Sequence, residues 1–207
     1  MTRVMRRKSA VELLGVPEVA KVGRERLVDV AIDLFYTYGF NAVGLDRVLA
    51  EAGVTKTTFY KHFESKDDLA IAALEKRETW EARAWKQAIE ELAGDDPREQ
   101  LLAMFEVMDI WFNDEDFRGC IFINAASEFP NPSDPIHQIA AKHKRETRDW
   151  FRDIAKAAGA DDPEAFADAY MMLVEGTLVM RQVHGRDDAA RVAKSIVGKL
   201  LENHGIR

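Results

Sequence analysis

The chain has 207 residues, of which 47% are hydrophobic and 31% charged, with a single cysteine. That length can bury a substantial core, one thiol cannot form an internal disulfide, and no apolar run is long enough to span a bilayer. The net charge of −7 argues against nucleic acid for the chain as a whole, but the charge is unevenly placed: residues 1–66 carry 11 Lys and Arg against 8 Asp and Glu, a net of +3, and the rest a net of −10.

DNA affinity follows local cations near phosphates rather than overall charge, so the basic N-terminal third stays open to nucleic acid. The first residues lack the apolar region of a signal peptide, and a cytoplasmic location is expected. Residues 1–20 open with Arg3, Arg6, Arg7 and Lys8, then a weakly apolar stretch broken by Gly15 and Pro17. They are expected to form a flexible basic arm, either a minor-groove or phosphate-contacting extension or a solvated tail. A helix is expected over 23–38, with Leu27, Ala31, Leu34, Phe35 and Tyr38 on one face and a stop at Gly39.

The segment from Leu45 to Phe63, LDRVLAEAGVTKTTFYKHF, is the most informative. Leu45, Val48, Leu49 and Ala52 recur at helical spacing, and Gly53 supplies the left-handed residue that a sharp turn needs. Thr55 can cap a second helix over Lys56 to His62. In it Phe59 and Phe63 lie one turn apart and point inward, leaving Lys56, Thr57, Thr58, Tyr60, Lys61 and His62 outside. A helix that buries two aromatics and displays donors and cations suits a DNA major groove. Ser65-Lys66-Asp67-Asp68 is a capping box for a further helix without a breaker until Gly94.

The order of Phe35, Gly39, Ala52-Gly53-Val54, Tyr60, His62-Phe63, Lys66 and Leu69 resembles the TetR-type transcriptional regulators, and GCIFINAASEF (119–129) is similar to a segment of some regulatory domains of that family. Gly44 departs from the Ser or Thr common there, but Gly is an adequate cap. The resemblance implies Tyr60, His62 and Lys66 as phosphate ligands, and leaves Thr55, Lys56, Thr57, Thr58 and Lys61 as base readers or groove-edge contacts.

Beyond residue 96, the pairs Asp96-Pro97, Asp134-Pro135 and Asp162-Pro163 mark helix starts. Helices are expected at about 97–113, 120–129, 136–158, 163–184 and 187–204, although CIFI at 120–123 is too short for periodicity to decide. The whole is all-α, about nine helices: an arm (1–20), a three-helix helix-turn-helix head (21–66) and a larger helical body (67–207). Met104, Met108, Trp111, Phe122 and Met171, with Asn124 and His137 as polar anchors, are candidates for lining an apolar effector pocket. Residue by residue they read as plain core, and a pocket is what the resemblance implies.

Phe166, Tyr170, Leu173, Val174, Thr177 and Leu178, then Val192, Ile196, Val197, Leu200 and Leu201, form a wide apolar stripe on the last two helices. From the residues this is either internal core or a self-interface. The resemblance implies a four-helix homodimer interface through Tyr170, Val174, Thr177, Leu178, Val192, Ile196 and Leu200. Cys120 has apolar neighbours and no second thiol, so burial is expected over redox sensing. The histidines lack metal-site spacing, no catalytic motif is present, and no cofactor or metal is expected. The resemblance implies a homodimeric repressor released from a double-stranded pseudo-palindromic operator by a largely apolar effector. A DNA-binding scaffold with no small-molecule input is the alternative.

Overall fold

The computed structural model describes residues 8–16, 20 and 23–207. The described residues form ten helices and no strand: α1 (Ala10–Leu14), α2 (Gly23–Tyr38), α3 (Leu45–Ala52), α4 (Lys56–Phe59), α5 (Lys66–Ala93), α6 (Pro97–Phe112), α7 (Ile121–Glu128), α8 (Pro135–Ala157), α9 (Pro163–His184) and α10 (Ala189–Asn203). The tenth helix is α1, inside the stretch expected to be a flexible arm. Ser9 and Glu12 close a capping box around it, Ala10 and Leu13 are buried, and it packs against α6. Lys8 pairs with Glu91; Arg3, Arg6 and Arg7 lie outside the described residues.

By its own contacts the chain divides into two compact units, and the division does not fall at residue 66. One holds the described part of Pro17–Ala82 with Arg118–Glu146; the other holds the described residues up to Val16, Arg83–Phe117 and Thr147–Arg207. The long helices α5 and α8 contribute to both, which is why a boundary set by sequence order does not match one set by packing.

In the first unit, Leu27, Ala31, Leu34 and Phe35 of α2 are buried with Val48, Phe59, Phe63, Leu69 and Leu74. Phe35 stacks on Phe40 with ring centres 4.8 Å apart. Tyr38 is a correction to the expected apolar face: it is exposed, with the Arg47 guanidinium 3.8 Å above its ring. Buried Asp29 ties α2 to α5 by an ion pair with Lys76 at 2.5 Å.

In the second unit, α10 packs on α6 and α9. Asp109, 1% exposed, receives Arg191 Nη1 at 2.9 Å. Asp109 is the buried member and Arg191 the half-exposed one, and the Asn113 side-chain amide also donates to Asp109 Oδ1 at 3.3 Å, so solvent screening keeps the pair's contribution well below that of a fully buried one. Tyr170 lies among Phe105, Phe151 and Phe166.

Candidate nucleic-acid interface

α3 ends at Gly53, whose φ of 66° and ψ of 33° are left-handed. The N–H groups of Gly53 and Val54 donate back to the carbonyls of Ala50 and Leu49 at 3.2 and 3.0 Å, closing the helix and reversing the chain. Thr55 then caps α4: its Oγ1 accepts from the Thr58 N–H at 3.2 Å. The second motif helix is shorter than expected, Lys56–Phe59 rather than Lys56 to His62. After Phe59 the winding tightens, with Lys61 N–H donating to Thr58 O and His62 N–H to Phe59 O at 3.2 and 2.8 Å. These three-residue spacings are the usual way a short helix finishes.

The two aromatics do what their spacing required. Phe59 is 0% and Phe63 3% exposed, with ring centres 5.6 Å apart. Lys56, Thr57, Tyr60, Lys61 and His62 remain exposed. Thr58 is half-buried, and its hydroxyl shares a 3.0 Å hydrogen bond with that of Thr55, so these two hydroxyls are engaged with each other. Lys66 is also turned inward: Nζ donates to the carbonyls of Phe40 at 2.9 Å and Val43 at 3.2 Å. It stabilises the turn before α3, through carbonyls too far along the chain for local spacing to indicate. Two cations escaped the sequence reading. Arg24 lies over the Phe63 ring at 5.0 Å and Arg47 over Tyr38 at 3.8 Å, both exposed. Rings restrain these guanidiniums, and only the fold puts them together.

A bent pair of helices, a buried aromatic hinge and an outward face of donors are matched by the model of bacterial regulatory proteins of the tetR family over residues 27–73, and a tetracyclin repressor-like C-terminal domain matches residues 97–197. The chain belongs to the TetR family. It is similar to the transcriptional regulator AcuR of Cereibacter sphaeroides, 29% identical over 84% of this chain and 82% of that one. Among solved structures it is similar to SCO4454, a TetR-family transcriptional regulator of Streptomyces coelicolor, with TM-score 0.80 and 29% identity over 87% of this chain and 95% of that one. A putative TetR regulator of Streptomyces avermitilis gives TM-score 0.76 and 26% identity over 89% and 98% of the two chains. These relatives are transcriptional regulators, and the family consists of helix-turn-helix DNA-binding proteins rather than enzymes. Its members bind operators as dimers and respond to small-molecule effectors.

The seven pocket candidates divide between the two units. Met104, Met108, Trp111 and Met171 belong to one unit, Phe122, Asn124 and His137 to the other. Met104 and Met108 are buried core, Met171 is half-buried, and Trp111 contacts Trp85, Phe112 and Phe117. The Asn124 amide donates to Arg118 O at 3.2 Å, holding the loop before α7. Phe122 and His137 do share a site, an open cleft of about 250 Å³ between α7 and α8. Ile123, Ala126, Ser127, Ala140, Ala141 and Lys144 complete its lining. His137 Nδ1 is 2.8 Å from Phe129 O, which fixes that nitrogen as the protonated one in the neutral ring. Behind the cleft, His143 stacks on Phe122 at 3.7 Å and 11°, and burial pulls its pKa down to about 4.

The proposed interface stripe needs correction. Tyr170, Val174, Thr177 and Leu178 face the interior of this single chain, each at most 6% exposed. The Tyr170 hydroxyl donates to Leu101 O and the Thr177 hydroxyl to Leu173 O. The apolar residues that α9 leaves outside are Met172, Val179 and Val183, and with exposed Gly176 they follow helical spacing. Val192 and Ile196 of α10 are exposed, and Leu200 is half-buried. Both faces of α9 carry large apolar residues, so the apolar stripe by itself does not distinguish the face packed inside this chain from the face left outside. Cys120 is buried, at the N-cap position of α7. Among the described residues no helix is long and apolar enough to cross a membrane.

Proposed function

We propose that this TetR-family protein binds a pseudo-palindromic double-stranded operator as a homodimer, represses transcription there, and is released by a small, largely apolar effector. The observation that carries the reading is the segment Lys56–His62, whose Lys56, Thr57, Tyr60, Lys61 and His62 side chains stand exposed while Phe59 and Phe63 beneath them are buried. Lys56 and Thr57, at the leading end of α4, are the base readers, since that end of a recognition helix reaches deepest into the groove. Tyr60, Lys61 and His62 follow as phosphate contacts, with Arg24 and Arg47 as restrained cations at the edges. The Met172, Gly176, Val179, Val183, Val192 and Ile196 face supports pairing with a second copy: exposed apolar side chains in a row are an interaction surface, and Gly176 permits close helix approach. The α7–α8 cleft, mostly apolar and bordered by His137 and Lys144, supports the effector site.

The test is selection of bound fragments from genomic DNA by the purified protein, followed by titration of a labelled fragment. A two-fold-symmetric sequence bound by one dimer is expected. Binding of equal strength to every duplex at physiological salt would refute an operator.

A further inference from the structure

Glu128, the last residue of α7, sends its carboxylate to the loop that leads into α3. Its two oxygens accept from the backbone N–H groups of Phe40 at 2.9 Å and Asn41 at 2.6 Å, and its carbonyl accepts from the Asn41 side-chain amide at 3.5 Å. Phe129 meets the Phe40 ring edge-on at 6.0 Å. From the other side Lys66 holds the carbonyls of Phe40 and Val43. The loop is therefore gripped by its N–H groups from α7 and by its C=O groups from α5. Gly39, at φ 89°, keeps the approach open: a Cβ there would stand 2.9 Å from Glu128 Oε1. Charge-assisted pairs of this kind are among the stronger hydrogen bonds. The same helix forms one wall of the cleft, through Phe122, Ile123, Ala126 and Ser127.

We propose that Glu128 is a positioning residue for DNA recognition: through it α7 sets the placement of α3 and α4, and whatever displaces the cleft wall of α7 changes operator affinity. The proposal rests on the operator-binding reading above. Two hydrogen bonds from one short carboxylate tolerate little motion. If α7 shifts, the loop either follows, carrying Gly44 and the start of α3 with it, or loses both bonds and becomes free. In either case the recognition segment meets DNA less well prepared, and ordering it again weakens binding.

The test uses the full chain and the selected operator fragment, with affinity read by fluorescence anisotropy. Glu128→Ala is expected to bind about tenfold more weakly, an ordinary coupling magnitude, while the salt slope stays unchanged because no phosphate contact is lost. Glu128→Gln, which retains one acceptor oxygen, should fall between, and it carries the test if the alanine variant does not fold. Ala126→Phe, a permanent occupant of the cleft, should also weaken binding, but add nothing in the Glu128→Ala or Glu128→Gln background, since the connection is already cut. Additive losses would overturn the proposal. So would Glu128 variants that bind like the unaltered chain while the Phe40 and Asn41 amides exchange faster. If the unaltered chain selects no operator, the operator reading fails first, before any variant is made.

Discussion

Tyr60 and Tyr170 put one side chain to opposite uses. Tyr170 is fully buried among three phenylalanines, its hydroxyl donates to Leu101 O at 2.7 Å, and burial raises its pKa well above the ordinary value. Tyr60 rests its ring edge on Phe59 and stays 55% exposed. The same contrast separates their surroundings. α9 turns Thr177 and Tyr170 inward, where their hydroxyls find backbone acceptors, and the result is architecture. The α4 segment buries only Phe59 and Phe63 and leaves its donors outside, and a row of donors with no interior use is what a phosphate-rich partner recognises.

The inward and outward faces of α9 offer the largest test. Leu178→Glu would bury a charge with nothing to pair it, at a loss of several kcal/mol, and should lower the melting temperature sharply or prevent folding. Val183→Glu, on the exposed face only five residues on, should leave the helical signal and melting temperature of the chain nearly intact yet yield monomers by sedimentation. Val183→Glu protein that sediments as a full dimer would remove this face from the interface.

A somewhat smaller effect is expected from His143. Its folded pKa is pulled to about 4 from 6.5, chiefly by burial against Phe122, with Glu81 and Glu146 opposing and Lys142 and Lys144 assisting. A histidine held neutral in the fold leaves stability untouched above the unfolded value and removes it as pH falls from about 6.5 towards 4, by up to about 3 kcal/mol. Glu78, whose pKa is raised by burial and by its hydrogen bond with Glu146, works in the other direction over the acid range. Chemical unfolding at pH 7 and pH 5 should therefore show a loss that His143→Phe reduces. Identical pH dependence in the two proteins would mean that His143 is accessible to water.

Most of the helical framework was legible because its signals are local. The stop at Gly39, the capping box at Ser65 with the stop at Gly94, and the Asp162-Pro163 start put α2, α5 and α9 close to Gly23–Tyr38, Lys66–Ala93 and Pro163–His184. The inward aromatics of α4 were legible for the same reason. What could not be read depends on partners far along the chain. Lys66 donates to carbonyls 23 and 26 residues away, and Glu128 accepts from amides 87 and 88 residues away. No periodicity predicts such pairs. α1 was missed because five residues give too little periodicity to register, even though Ser9 and Glu12 spell a capping box. Side-chain softness and size, the only sequence signals for a pocket, do not distinguish Met108, at 1% exposure, from a residue beside a cleft.

Within the exposed face of the α4 segment, Lys56 and Tyr60 should divide by kind of contact. Lys56→Ala removes a base reader: about 1–3 kcal/mol at one operator position, with preference relaxed there and kept elsewhere. Repeating the fragment selection with the variant checks this, and an unaltered sequence preference would move Lys56 to the backbone contacts.

The smallest expected effect belongs to Tyr60→Phe. The substitution keeps the ring against Phe59, where the centres are 5.2 Å apart, and deletes only an exposed hydroxyl, so the fold should melt as before. A solvent-exposed hydrogen bond to phosphate, lost without a change of charge and replaced by water, is worth roughly 1.5 kcal/mol, the low end for a charged acceptor. It should weaken operator and unrelated duplex by the same factor, because phosphates do not vary with sequence. The dependence on salt should barely change, since a neutral hydroxyl displaces no counterion. Lys61→Ala, by contrast, should flatten the log–log slope by about 0.9 for the phosphate it neutralises. Measured side by side, the pair separates hydrogen bonding from charge on one helical turn. A Tyr60→Phe variant that lost affinity for the operator alone would mean that its hydroxyl reads a base edge, and that the base-reading surface extends past the end of α4.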